Sequence, residues 1–328
     1  MQRDLALDRL KGLAVIVMVI SHVWLFQIGI SDTADISDIA ILLISRVCAP
    51  IFVFSYAYVL VNRRDVSKHI SRLSKLALAC AALSLLMLVL TASPYAIHVL
   101  YVLLGVSLLA PALGRLDSST LLAAMYAILF LHVMLNASVI ELPGAMTTAV
   151  LLGGELSSSL TMNFGVLALL PFMLLGIVAS KSNTDRQYLK PHIWIILLTG
   201  VVFLVPELMI LENKALYSLA SINMLITVAV ILAYWYLKSL TSLDKILLPF
   251  GRNVLTVYLF HLTLLFLLSF LSGRTQQFGA MMQGEYVYDF SNGVKLLACV
   301  GMILCCYAVL QLNRLGKMPF LMKQSKAL

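Results

Sequence analysis

Two histidines lie deep in apolar runs. "RLKGLAVIVMVISHVW", residues 9–24, carries His22, and "FGRNVLTVYLFHLTLL", residues 250–265, carries His261. An imidazole inside hydrocarbon is costly and usually marks a site or a pathway. Near neutral pH it can take or give a proton. Lys11 precedes His22 by eleven positions, about 16 Å of helical rise. Successive helical residues rotate by about 100°, so Asp8, Lys11 and His22 share a stripe and Arg9 faces away. An extended pantetheine arm has that order of length. A phosphate held at Lys11 would therefore bring a thioester near His22. The bland alternative is a Lys11 that snorkels and a His22 that hydrogen-bonds between helices. These residues alone leave both readings open.

Further polar residues interrupt other apolar runs. In "SRVCAPIFVFSYAYVL", residues 45–60, Arg46 cannot be neutralised, and Pro50 is expected to kink the helix. A kinked helix with a buried guanidinium suggests a polar cavity; pairing to a neighbouring helix is the alternative. His98 opens "HVLYVLLGVSLLAP" near the outer end of a span. Tyr258 sits one turn before His261, on the same side. His69, His132 and His192 read as surface or packing residues. The five cysteines lie in apolar runs without metal-ligand spacing, so they read as small buried hydrophobes and no metal is expected.

The elements that must hold these groups are membrane helices. The 328 residues are 61% hydrophobic and 12% charged, with mean hydropathy +0.98. Soluble domains are rarely more than about half apolar, and runs of about 20 apolar residues read as spans. The expected fold is all-α and polytopic, with ten spans near 11–30, 38–62, 76–91, 95–113, 120–137, 162–180, 191–211, 216–237, 252–271 and 294–312. Nineteen of the 23 Lys and Arg residues fall on alternate loops and the two termini. The exceptions are Lys214, Arg274, Lys295 and the intramembrane Arg46. By the positive-inside rule both termini are cytoplasmic. The net charge of +8 follows from this bias and does not imply nucleic acid. The first span lacks a small-residue cleavage site and reads as retained. The long outer loops, 138–161 and 272–293, are too polar for separate domains. The expectation is a single transmembrane domain over 1–328.

Four segments, in order, resemble the integral-membrane acyltransferases of the acyltransferase-3 type. Relatives include the heparan glucosaminide N-acetyltransferases and the conjugative pilin acetylases. "LDRLKGLAVIVMVISH" supplies Leu7, Asp8, Leu10, Gly12, Ala14 and His22 of the opening motif, with Lys11 where arginine is usual. Ser45, Arg46, Pro50, Phe52 and Tyr58 match the second segment, where Tyr56 and Ala57 replace Ser-Gly. His98, Tyr101 and Pro111 match the third, and Tyr258 and His261 the last. Lysine supplies a point charge where arginine would grip a phosphate through two hydrogen bonds. Tyr56 adds bulk where the family keeps the helix slim.

The resemblance implies transfer of an acyl group, acetyl above all, from cytoplasmic acyl-CoA to a hydroxyl or amine of an envelope saccharide or similar acceptor. It implies acetyl-CoA or another acyl-CoA as donor, no metal, and a place in the bacterial inner membrane. Lys11, with Arg63, Arg64 and Arg72, would hold the donor phosphates. His22 would be the general base, with His261, at similar depth on another helix, as a further catalytic candidate. Arg46 or His98 would stabilise the oxyanion or position the acceptor, and Tyr58 and Tyr258 would line the substrate site. A transporter or flippase is the rival, because intramembrane His and Arg also mark substrate paths. Transporters tend to show two related halves, and no such symmetry is evident here. A non-catalytic relative is the other rival.

Overall fold

The computed structural model describes residues 4–25, most of 40–61, scattered positions in 71–85, 95–136 except 98, 154–162 except 158–159, 166–181, 186–209, 220–271 and 291–314. Within these residues the chain is helical, with one small sheet that an all-α reading does not include. The helices are α1 Leu5–Leu25, α2 Cys48–Val61, α3 Val99–Leu113, α4 Ser118–Asn136, α5 Val166–Lys181, α6 Arg186–Met209, α7 Ala220–Ser239, α8 Asp244–Arg252, α9 Val254–Leu271 and α10 Asn292–Arg314. The strands are β1 Tyr95–Ile97, β2 Gly154–Ser157 and β3 Leu160–Met162. β3 lies between the others, parallel to β1 and antiparallel to β2.

Three stretches, Ser118–Leu135, Ser221–Ser239 and Asn292–Arg314, are each long and apolar enough to cross a membrane. A fourth such span exists if α8 and α9, bent by 84° at their junction, count together. The other apolar helices are shorter. The expected spans at 76–91 and the outer loops 138–161 and 272–293 fall largely outside the described residues.

Two expectations change in detail. Arg46 lies in a turn just before α2, where Val47 N–H donates to the Ile44 carbonyl at 3.2 Å. It is not inside a continuous helix over 38–62. Pro50 is then in the first turn of α2, where a missing N–H costs no helical hydrogen bond, so it need not kink the helix. The ninth span also begins later than 252. Arg252 ends α8, and α9 starts beyond Asn253.

The contacts divide the chain into two compact units, residues 1–48 with 233–328, and residues 49–232. In the first, α1 packs most extensively on α8, and also on α10 and α9. α8 buries Leu247, Phe250 and Gly251, an i, i+3, i+4 stripe. Two glycines make the contact with α1 possible. A Cβ on Gly12 would collide with the Leu247 carbonyl, and one on Gly251 with the Asp8 carbonyl. The backbones therefore touch. Asn253 closes α8, its side-chain amide donating to the Pro249 carbonyl at 2.8 Å.

In the second unit α5 is the central helix, buried along most of its length and packed on α4 and α3. Gly176 of α5 meets the Phe54 carbonyl of α2 so closely that no Cβ would fit. Asp117 caps α4, accepting from the Thr120 N–H at 2.9 Å and the Thr120 hydroxyl at 2.6 Å, and from the Ser119 hydroxyl. These donors, the Ser119 hydroxyl foremost, hold its carboxyl well below the usual carboxylate range.

Candidate active site

α1 and α9 bring the two histidines together. His22 Nδ1 lies 2.8 Å from His261 Nε2, and the rings stack at 5.1 Å between centroids. His261 is wholly buried. His22 keeps part of its surface accessible. His261 Nδ1 lies 2.8 Å from the Val257 carbonyl. A carbonyl only accepts, so His261 must carry its proton on Nδ1. Between neutral rings His261 Nε2 is then an acceptor, and His22 must donate from Nδ1. That leaves the lone pair of His22 on Nε2. In apolar surroundings two neutral rings cost far less than a charged one. A backbone carbonyl one turn away thus fixes both tautomers and presents a bare imidazole nitrogen that can accept a proton. Tyr258 packs edge-on against His261, 5.7 Å between centroids, as the i, i+3 spacing predicts.

At the other end of α1, Lys11 Nζ lies 2.8 Å from one oxygen of Asp8. Arg252, from the end of α8, lies 3.8 Å from the other. Asp8 is buried and both cations reach the surface, Arg252 more than Lys11. Lys11 is thus engaged within α1, in a cluster that keeps one net positive charge. Sequence reasoning grouped Lys11 with Arg63, Arg64 and Arg72, all three outside the described residues, and missed Arg252. It also missed the anchor beside this cluster. Arg9 is 3% exposed and grips Asp244 through Nε and Nη2, the latter at 3.0 Å. Its Nη1 donates to the Leu237 carbonyl at 2.7 Å. Tyr234 donates to Asp4 at 2.6 Å. The signal was present: a helical arginine facing away from the Asp8–Lys11 stripe needs its own partner, and "LDKILLPFGR" offers an acid at the head of an amphipathic segment.

The remaining candidates are placed as follows. Arg46 is half-buried at its turn. Tyr58 is buried in the second unit, its ring 6.4 Å from that of Phe54. His98 lies outside the described residues. Of the histidines read as packing residues, His132 is wholly buried and His192 hydrogen-bonds with Tyr126 at 2.8 Å. Among the described residues no group of three His, Cys, Asp or Glu side chains could hold a metal.

A family model described as an acyltransferase domain, acyltransferase-3, matches residues 4–311. The chain belongs to the acyltransferase-3 family. No curated protein and no solved structure matches it. This acyltransferase is an integral membrane protein, and both ends of the α1 stripe and the paired histidines fall within the matched region.

Proposed function

We propose that this acyltransferase moves an acetyl or other acyl group from acyl-CoA to a hydroxyl or amine of a carbohydrate or similar envelope acceptor, in a bacterial inner membrane. The observation that carries this reading is the His22–His261–Val257 chain, which leaves the accessible histidine with an unprotonated Nε2.

In the proposed reaction His22 Nε2 takes the proton from the acceptor O–H or N–H as its heteroatom attacks the thioester carbonyl. A tetrahedral oxyanion forms, with Arg46 and His98 as the candidates to stabilise it. Its collapse breaks the C–S bond. The CoA sulfur leaves and receives the proton from the His22 imidazolium, which restores the neutral pair. His261 touches neither reactant. It holds His22 in the productive tautomer, the positioning part of a general-base device. Lys11 is the candidate for the donor phosphates, together with Arg63, Arg64 and Arg72. Tyr58 and Tyr258 are kept as candidate lining residues.

The test uses the full chain, purified and reconstituted in liposomes, with acetyl-CoA labelled in the acetyl group. Label transferred to a saccharide acceptor, with loss of transfer in His22→Asn, is the expected result. Translocation of a solute with no acyl transfer from any acyl-CoA would replace this reading with a transporter.

A further inference from the structure

The geometry points to a lipid site in the second unit: the slot between α4 and α6 holds a segment of one acyl chain of an anionic phospholipid, with the headgroup end at Tyr126 and His192. The slot encloses about 200 Å³ and is lined by Tyr126, Leu129, Phe130 and Val133 of α4, Ile196, Thr199 and Phe203 of α6, and Met224 of α7. At roughly 30 Å³ for a water-sized group, this admits about six or seven methylene-sized groups. Sites for compact organic ligands run to about 300 Å³ and more, so the volume suits a length of chain.

The slot is polar at one end only. Along α6, Tyr188, His192, Ile196, Thr199 and Phe203 recur every three or four residues and share a face. His192 bonds to Tyr126 at 2.8 Å, and Tyr188 packs on His192 with 5.7 Å between centroids. Beyond them the walls are hydrocarbon and one thioether. The Thr199 hydroxyl is spent on the Ile195 carbonyl at 2.7 Å. The Tyr126–His192 pair always has a donor to spare. If the phenol donates, the imidazole Nε2–H is left over; if the imidazole donates, the phenol O–H is. That donor suits an ester carbonyl or a phosphate oxygen.

Charge selects the headgroup. α4 and α6 both start near the polar end, at Ser118 and Arg186. Arg115 and Lys190 are exposed there. Lys181 donates to the Leu116 carbonyl, which ties the end of α5 to the turn before α4. The acid at this turn, Asp117, stays ionised under its bonds from Ser119 and Thr120, and Arg115, Lys181 and Lys190 outnumber it. A basic cluster at the end of membrane helices attracts anionic headgroups. Phe130 is 58% exposed, so the slot opens sideways, where in a membrane lipid chains lie.

The test is native mass spectrometry of the full chain after exchange from vesicles of phosphatidylcholine in excess over phosphatidylglycerol. Wild type is expected to retain one phosphatidylglycerol. Thr199→Trp, which fills the slot, is expected to retain it about tenfold less. Arg115→Gln with Lys190→Gln should keep a lipid but lose the preference for phosphatidylglycerol. If Thr199→Trp does not fold, His192→Phe keeps a ring and removes the donor, and should weaken retention in the same direction. Equal retention in wild type and a folded slot variant would overturn the proposal. So would wild type retaining both lipids in proportion to supply, or a saccharide-linked lipid or fatty acyl-CoA displacing phosphatidylglycerol from the slot.

Discussion

The two units treat polar groups inside apolar helices differently. In the first, ionisable groups are joined across helices, His22 to His261, Arg9 to Asp244 and Arg252 to Asp8, while the hydroxyls of Ser21 and Thr263 bond within their own turn. Each cross-helix link closes a long sequence separation and fixes one helix against another. In the second, many polar groups are satisfied nearby. Ser107 donates to Leu103, Thr199 to Ile195 and Thr227 to Asn223, each within one turn, and Asp117 caps its own helix. Tyr126–His192 and Lys181–Leu116 are described exceptions, and Tyr126 lines the slot. Local bonds satisfy a hydroxyl without linking one helix to another. Cross-helix bonds set distances between helices, which general-base chemistry requires. On the proposed mechanism the reaction geometry belongs to the first unit, and the second offers an apolar surface.

The largest expected effect breaks the first unit's chemistry. His22→Asn removes the imidazole lone pair and should lower acyl transfer by about 10²-fold or more, the lower range for losing a general base. The comparison is made at saturating acyl-CoA, with melting temperatures showing equal folding. A rate within a few-fold of wild type would make His22 a packing residue.

The next effect separates positioning from packing. His261→Gln offers an amide oxygen to accept from His22 Nδ1–H, whereas His261→Phe offers nothing. His261→Phe should lower the rate about tenfold or more, within the range for general-base assistance, and His261→Gln should recover part of it. Equal losses in both would mean that only volume matters at this position, and the tautomer chain would fall.

The histidine pair was half legible in the sequence. Position and depth were readable because both residues lie within apolar runs of helical length. Their contact was not, since no periodicity reports which two helices meet. The α8 helix escaped because residues before 252, with Lys245 among them, were counted as a basic loop leading into a ninth span at 252–271. The ion pairs escaped for a different reason: Arg9, Lys11 and Arg252 were counted as loop charges that set topology, and that count is blind to partners. The small sheet was missed because three- and four-residue strands beside Gly-rich loops leave no measurable alternation. The alternation of basic loops predicts ten spans, so reporter fusions after residues 115, 183 and 320 should read cytoplasmic, with fusions in 141–158 and 276–290 reading external. An internal reading at 141–158 would sink that map.

A smaller effect tests the backbone contact. Gly251→Ala forces a methyl into the Asp8 carbonyl, and overpacking of this kind costs about 1–3 kcal/mol. Gly301→Ala in α10, where a Cβ meets nothing within 4 Å, should cost nothing measurable and is the control. Melting of the two variants side by side gives the answer. Similar melting would mean that α1 and α8 can part without loss, and α8 would no longer count as the clamp on the active-site helix.

The smallest effect concerns the second unit's local style of satisfaction. Asp117 accepts from neighbours two and three residues along the chain, and those bonds favour its ionised form. Its folded carboxyl is therefore depressed below an unfolded value of about 3.9. A depressed acid contributes stability that is present above the unfolded value and is lost as pH falls through the folded one. Asp117→Ala should therefore lower the melting temperature slightly near neutral pH, and the difference from wild type should shrink as the pH is taken below about 4. Asp117→Asn keeps a capping oxygen and should fall between the two near neutral pH. The His22–His261 contact is remote from this cap in sequence and belongs to the other unit, so acyl transfer per folded molecule should be unchanged in both variants. A loss of transfer without a loss of stability would show that the start of α4 takes part in the reaction, and the division of labour between the units would have to be redrawn.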